Sequence, residues 1–324
     1  LAGGRAVLFL FLESRLIMFD YDAIIVGGGP AGLTAGIYLR RGGYRVLLLE
    51  KEAFGGQLKN IDCIENYPGF ARGVSGPELA SAMVDQAAGF GLEMNLGEVV
   101  SIESFSECRS VAASDGSAYT CHVVVVAGGS KPRKLGVPGE EAFRARGVME
   151  CALCDGGGFA GKVVAVCGGG DSGITEALYL AKLASKVVLI EAEPCMTASS
   201  ILQERARIHP NVEIRCGARV AEITGGDTVR AIELDLAAGR QSLPVDGVLV
   251  HVGVDPNTAC LEGVVPLDEA GFVKVDGFLQ SEIPHIFAAG DIRAGSPRQV
   301  AAAVGDGAVA AVAAQRALQL MRTM

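Results

Sequence analysis

The stretch YDAIIVGGGPAG, residues 21–32, decides the fold. Its first half is a short, branched, apolar run of the kind that forms a strand buried on both faces of a parallel sheet. Gly27 permits the tight bend that follows, Gly29 lets the backbone approach a diphosphate, and Gly32 allows the next helix to pack closely on the strand. Pro30 and Ala31 lie within that turn, and the helix after it offers at its N-terminus unpaired N–H groups and the positive end of a dipole to an anion. Residues 33–41 carry Leu33, Ile37 and Leu39 at helical spacing, and residues 45–50 (RVLLLE) form a second strand. Glu50 at its end is placed to accept hydrogen bonds from ribose hydroxyls. A glycine triplet alone is a weak signal; between a strand and a helix, with an acid at this distance, it is a strong one.

The same design returns further along. Residues 162–166 (KVVAV) predict a strand, Gly168, Gly170 and Gly173 mark a second turn with Asp171 and Ser172 inside it, residues 174–183 a helix, and residues 186–191 (KVVLIE) the closing strand. In each copy the acid lies 23 positions after the first glycine, Glu50 after Gly27 and Glu191 after Gly168. This internal repeat predicts an α/β protein with two Rossmann-like, three-layer ββα dinucleotide-binding domains. Residues 123–126 lead a strand into a turn at Gly128 and Gly129, and residues 251–257 (HVGVDPN) mark a second crossing. Residues 286–289 (IFAA) run into Gly290 and Asp291, and residues 299–321 form an alanine-rich helix suited to core packing. The second domain is therefore expected to be inserted into the first. The divisions are 18–134 and 253–324 for the split domain and 135–252 for the insert.

Composition narrows the function. Half of the 324 residues are hydrophobic, 44 are glycine, and the formal charge is -9 without a cationic run, which argues against nucleic acid as a partner. Residues 6–12 (AVLFLFL) are too short to span a bilayer, so no membrane association is expected. Residues 1–17 are expected to lie outside the folded chain, as a disordered extension or one absent from the native protein. Nine cysteines with one close pair fit a reducing, cytoplasmic setting better than a disulfide framework. The single cysteines are expected to be small buried hydrophobes. His122, His209, His251 and His285 are scattered and read as structural or surface residues, Met18, Met83 and Met94 lack a ligand pattern, and no metal site is expected.

Two further motifs carry chemistry. Around Glu191 the chain reads EAEP, residues 191–194, with no arginine until Arg205. A 2′-phosphate beside these carboxylates meets like-charge repulsion, so NADH is favoured over NADPH; the rival is a Glu191 that is merely a solvated strand end. Cys151-Ala152-Leu153-Cys154-Asp155 puts two sulfurs at i and i+3, where a turn or helix start brings them together and lowers a thiol pKa. Asp155, if shielded from water, is placed to deliver and remove the proton of thiol chemistry. An inert pair or half a metal site are the alternatives, and the neighbouring nucleotide fold favours redox chemistry.

Taken in order, GGGPAG (27–32), GGQ (55–57), ENYPGF (65–70), CALCDG (151–156), GGGDSG (168–173), Gly290-Asp291 and Arg298-Gln299 resemble low-molecular-weight thioredoxin reductases across residues 18–320. The resemblance implies a homodimer with FAD in the split domain. It places Gly56, Gln57, Asn66, Gly128, Gly290, Asp291, Arg298 and Gln299 among the FAD-binding positions. It also implies that Cys154 faces the flavin, Cys151 attacks thioredoxin or a thioredoxin-like protein, and Asp155 is the general acid. The inserted domain is expected to rotate about breaks near residues 135 and 252.

The departures bear on the electron donor. NADPH-dependent members carry His-Arg-Arg and a later arginine where this chain has Glu191, Ala192, Glu193 and Thr197. A flavin oxidase of small dithiols, or a reductase fed by a donor such as ferredoxin, are the alternatives that follow. A nucleotide-sensing scaffold has no use for the CALCD segment.

Overall fold

The computed structural model describes residues 19–149 and 151–323, so residues 1–17 and Met18 lie outside it. The chain begins as its glycine pattern requires. β1 (Tyr21–Val26) leads into α1 (Pro30–Arg41) and β2 (Val46–Glu50), followed by α2 (Gly76–Gly89), β3 (Glu93–Leu96), β4 (Val99–Ser104), β5 (Arg109–Ala113) and β6 (Ala118–Val126). These strands form one sheet in the order β3-β2-β1-β6-β5-β4. β1 pairs in parallel with β2 and β6, while β4 and β5 are antiparallel additions.

The chain then leaves through β7 (Ser130–Pro132) and builds a second sheet. Its elements are β8 (Val148–Met149), α3 (Ala152–Asp155), β9 (Val163–Cys167), α4 (Asp171–Leu180), β10 (Lys186–Glu191), α5 (Ser200–Ile208), β11 (Val212–Cys216), β12 (Arg219–Gly225), β13 (Val229–Leu236), β14 (Gly239–Pro244) and β15 (Gly247–Val250). The parallel order is β11-β10-β9-β15-β8, and β12-β13-β14 form a separate antiparallel sheet. The chain returns through β16 (Val254–Pro256), which pairs antiparallel with β7, and β17 (Ile286–Ala288) rejoins β6 in the first sheet. The last element is α6 (Val300–Thr323). The helices start about three residues earlier than the apolar spacing alone places them, at Pro30 and Asp171, because the glycine turn itself supplies the first helical turn.

One face of the first sheet packs on α1, α2 and α6. Ile25, Leu48 and Val125 meet Leu33, Leu39, Leu79 and Leu318 there. Ala310, Ala311 and Ala314 are fully buried, and their small side chains let α6 lie close against its neighbours. The opposite face is covered by β4, β5 and the segment before α6, through Ile102, Val111, Leu261 and Val273. In the second sheet, Val164, Val166 and Leu189 pack on Ile174 and Leu180 of α4, and the other face meets Ile223, Ile232 and Leu234. Each unit thus has helices on one side and antiparallel strands on the other. No helix among the described residues is long and apolar enough to cross a membrane.

The two glycine turns are built alike. Gly27 and Gly168 both have positive φ, and a Cβ on either would meet a backbone oxygen, Ala127 O at 2.3 Å and His251 O at 2.0 Å. Replacement of Gly168 by alanine is expected to cost about 3 kcal/mol of unfolding free energy. At Gly161 φ is +72° and nothing stands within 4 Å of a Cβ. Alanine there is expected to cost about 1 kcal/mol, since only backbone conformation is affected. Denaturant melts of the two variants check this; equal losses would contradict it.

Candidate active site

Glu50 and Glu191 are held in the same way. Oε2 of Glu50 accepts the Gly28 N–H at 2.7 Å and Oε1 accepts the Glu52 N–H at 2.9 Å. In the second copy Oε2 of Glu191 accepts the Gly169 N–H at 2.7 Å and Oε1 accepts the Glu193 N–H at 2.9 Å. Each carboxylate therefore grips its glycine turn and its own following loop, and keeps acceptor capacity for a ribose. Glu191 is thus more than a solvated strand end. In the second turn, Gly169 O also accepts from Thr197 N and Ala198 N, which folds the loop after β10 over the glycines. The Asp171 carboxylate in that turn accepts the Ser199 N–H at 2.7 Å. Gly170 would meet only Thr197 Oγ1, at 3.7 Å, if it carried a Cβ. Ser172 and Gly173 lie in the first turn of α4.

The first turn faces a second glycine pair. A Cβ on Gly29 would find only Gly56 Cα, at 3.9 Å, so Gly29 and Gly56 leave an open cradle beside the N-terminus of α1. Around it, Gln57 Nε2 donates to Ser130 O at 3.0 Å, and Asn66 Nδ2 donates to Gln299 Oε1 at 2.8 Å. Gly128 O accepts from Asn257 Nδ2 at 2.8 Å. Asp291 is half-buried, and desolvation raises its carboxyl above the usual range against the opposing effects of a 3.4 Å contact from Ser296 Oγ and the charges of Arg298 and Arg293. A single weak hydrogen bond leaves this carboxyl acceptor capacity for a ligand hydroxyl. Arg298 takes φ of +55° with its guanidinium over Phe272.

Among the residues expected around the first nucleotide, Gly29 lies by Gly56, Gly290 by Ala31 and Asn66 by Gln299, and the open glycine cradle at the start of α1 fits the diphosphate of a flavin dinucleotide. Sequence reasoning missed the group that shapes one side of it. Asp306 on α6 is buried, accepts the Gly290 N–H at 3.0 Å, and pairs with Arg293 through contacts of 2.6 and 2.9 Å. It fixes the loop that presents Asp291. No spacing rule flags an aspartate within an alanine-rich helix, although a charge at a core-facing position was a signal.

The cysteine pair occupies the start of α3. Cys151 is its N-cap and Cys151 Sγ accepts the Cys154 N–H at 3.2 Å; the Cys151 thiol lies 2.8 Å from Cys154 Sγ. Both are thiols, Cys151 buried and Cys154 exposed. Burial, then the contact with Cys154, push the Cys151 thiol up to about 11. Cys151 also lies 4.0 Å from the Asn60 carbonyl in the 3-10 turn Gly56–Asn60, which belongs to the first unit. Lys182 with Asp62 (3.5 Å) and Arg205 with Glu65 (2.6 Å) join the two units near this point.

Two expectations need amendment. Asp155 is exposed, so its condition of being shielded from water is not met in this arrangement. The single cysteines divide: Cys121 and Cys167 are buried as expected, but Cys195 and Cys216 are exposed beside the loop after β10, because strand ends and loops there face solvent. His251 agrees with its structural reading: it follows β15 with its backbone against the second glycine turn, and its Nε2 lies 3.2 Å from Glu176 Oε2, off the alignment of a hydrogen bond.

Comparison with known proteins agrees with this geometry. Residues 21–307 match the pyridine nucleotide-disulphide oxidoreductase family. The thioredoxin reductase of Bacillus subtilis is 38% identical over 298 residues, covering 91% of this chain and 94% of that one. Among solved structures, Lactococcus lactis thioredoxin reductase in its FR conformation is 36% identical with a TM-score of 0.91, covering 93% of this chain and all of that one. A ferredoxin-flavin thioredoxin reductase from Clostridium acetobutylicum is 30% identical with a TM-score of 0.51, covering 94% and 99%.

The two thiols should differ in reactivity. With iodoacetamide at pH 8, Cys154 is expected to be alkylated about tenfold faster than Cys151, whose rate should climb as pH approaches its raised pKa of about 11. Peptide-resolved mass spectrometry reads both, and equal rates at pH 8 would contradict the burial of Cys151.

Proposed function

Since the chain belongs to the pyridine nucleotide-disulphide oxidoreductases, within the low-molecular-weight thioredoxin reductases, we propose that it reduces the disulfide of thioredoxin or a thioredoxin-like protein with electrons from NADH. The observation that carries this reading is the thiol pair at 2.8 Å on α3, in the same unit as a second glycine turn gripped by Glu191. The cradle of the first unit would hold FAD, which when bound would supply the redox chemistry that links a nicotinamide to the Cys151–Cys154 disulfide.

The residues then have defined parts. Glu50 orients a ribose of the flavin nucleotide, Asp291 accepts from a flavin hydroxyl, and Gln57, Asn66 and Gln299 line the cleft. Gly168, Gly170 and Gly173 admit the diphosphate of the second nucleotide to the N-terminus of α4. Cys154 faces the flavin. Cys151 attacks the partner's disulfide, and as its mixed disulfide is resolved by Cys154, the Cys151–Cys154 bond forms and the partner leaves as a dithiol. Asp155 is the proton carrier once a bound partner covers it.

Cys151 is buried, so attack on a protein requires the two units to separate. The strand pair β7–β16 is the sole two-stranded connection among the described sheets and is the proposed hinge, dividing units 18–134 with 253–324 from 135–252. Two near-full-length relatives that score 0.91 and 0.51 against the same chain support such rigid-body freedom. A homodimer in a reducing cytoplasm completes the reading.

The donor rests on the acidic rim. Glu193 adds a carboxylate beside Glu191, and Ala192 and Thr197 bring no positive charge to a 2′-phosphate. A ferredoxin-type donor is the second reading, favoured by the same rim and by the Clostridium relative.

Anaerobic stopped-flow mixing of the FAD-loaded protein is expected to bleach the flavin with NADH about tenfold faster than with NADPH. Faster bleaching with NADPH would overturn the donor assignment, and no bleaching with either nucleotide would favour the second reading. Cys154→Ser is expected to keep its flavin and its bleaching by NADH while losing turnover of thioredoxin disulfide by about a thousandfold or more. Retained turnover would remove Cys154 from the pathway.

A further inference from the structure

The carboxylate that touches the redox segment is Glu176. It lies in the second turn of α4, and its Oε2 accepts the Ala152 N–H at 2.9 Å. Ala152 is the first residue of α3 and fully buried, so this bond closes a backbone donor that the four-residue helix cannot satisfy itself. The packing around it is close: a Cβ on Gly156 would meet Leu180 at 3.0 Å and Tyr179 at 3.5 Å, also on α4. His251 Nε2, 3.2 Å from the same carboxylate oxygen, approaches from β15.

A carboxylate beside a thiol favours the thiol over the thiolate by like-charge repulsion. The groups that face Cys151 are Cys154 on its own helix, Glu176 on α4 with His251 behind it, and the Asn60 carbonyl of the first unit. Beyond them, Lys182 sits over the Tyr179 ring and pairs with Asp62. After burial and the Cys154 contact, Glu176 adds to the upward displacement of the Cys151 thiol.

We propose that Glu176 is a positioning residue for the redox pair, fixing α3 to the nucleotide-binding helix α4 through Ala152 and holding Cys151 in its thiol form until the partner arrives. The proposal rests on Cys151 being the attacking thiol. Its consequence is that the pair moves as one body with the second glycine turn, and that premature thiolate, which would react with small oxidants, is suppressed.

Two substitutions separate the parts of this role. Glu176→Gln keeps an acceptor for the Ala152 N–H and removes the charge; Glu176→Ala removes both. In FAD-loaded protein, the pH profile of Cys151 alkylation is expected to move to lower pH by about half a unit or more in both variants, with the Cys154 profile as the internal reference. Amide hydrogen exchange across residues 152–155 is expected to quicken about tenfold in Glu176→Ala and to stay unchanged in Glu176→Gln. Alkylation profiles of both variants that overlay the parent would overturn the electrostatic role, and unchanged exchange in Glu176→Ala would overturn the anchoring role. Neither readout needs turnover. A parent protein that fails to reduce thioredoxin, while the two variants still show the shifted profiles, would sink the proposed function and leave Glu176 as a control on the thiol.

Discussion

A carboxylate at the end of the second strand that grips the N–H of a glycine turn is the contact on which both halves of this molecule depend. Glu50 and Glu191 make it with the same oxygen, to the same position of the turn, at the same 2.7 Å. The glycine turn needs positive φ and backbone within a Cβ's reach, so it has no side chains of its own to stabilise it. The glutamate supplies that support from the neighbouring strand. Under the proposed function a ribose binds beside it, so the group that holds the turn in shape would also orient the ligand.

This double use explains why the repeat is so legible. Three glycines and an acid at a fixed offset must all be present for either job, and the offset of 23 residues appears twice in the chain. From that pattern the parallel cores and the inserted second unit could be read. The antiparallel additions could not. β4, β5 and β12 to β14 are half-exposed and mix polar with apolar residues, so they stand out less than the runs of valine and leucine in the parallel strands.

The site was legible where chemistry is written in contiguous motifs and silent where it depends on long-range contacts. CALCD announces a redox pair, but Glu176 meets it from 24 residues away, and Asp306 reaches Gly290 from a helix that reads as plain core. Asp155, the acid visible in the motif, is exposed while Glu176 lies against the helix start. Sequence alone gave no sign that the two thiols would differ so much in exposure. That difference comes from where α3 rests, against the 56–65 segment of the other unit, and it links access to Cys151 with the relative placement of the units.

Electron transfer between a bound flavin and these sulfurs is the claim that everything else serves. Anaerobic reductive titration of the FAD-reconstituted protein, started from the oxidised cysteine pair, tests it without any partner or assumed donor. The account requires two electron pairs per chain before the flavin is fully bleached, one for the ring and one for the Cys151–Cys154 disulfide. Bleaching complete after a single pair, with the disulfide still intact by thiol counting, would contradict it.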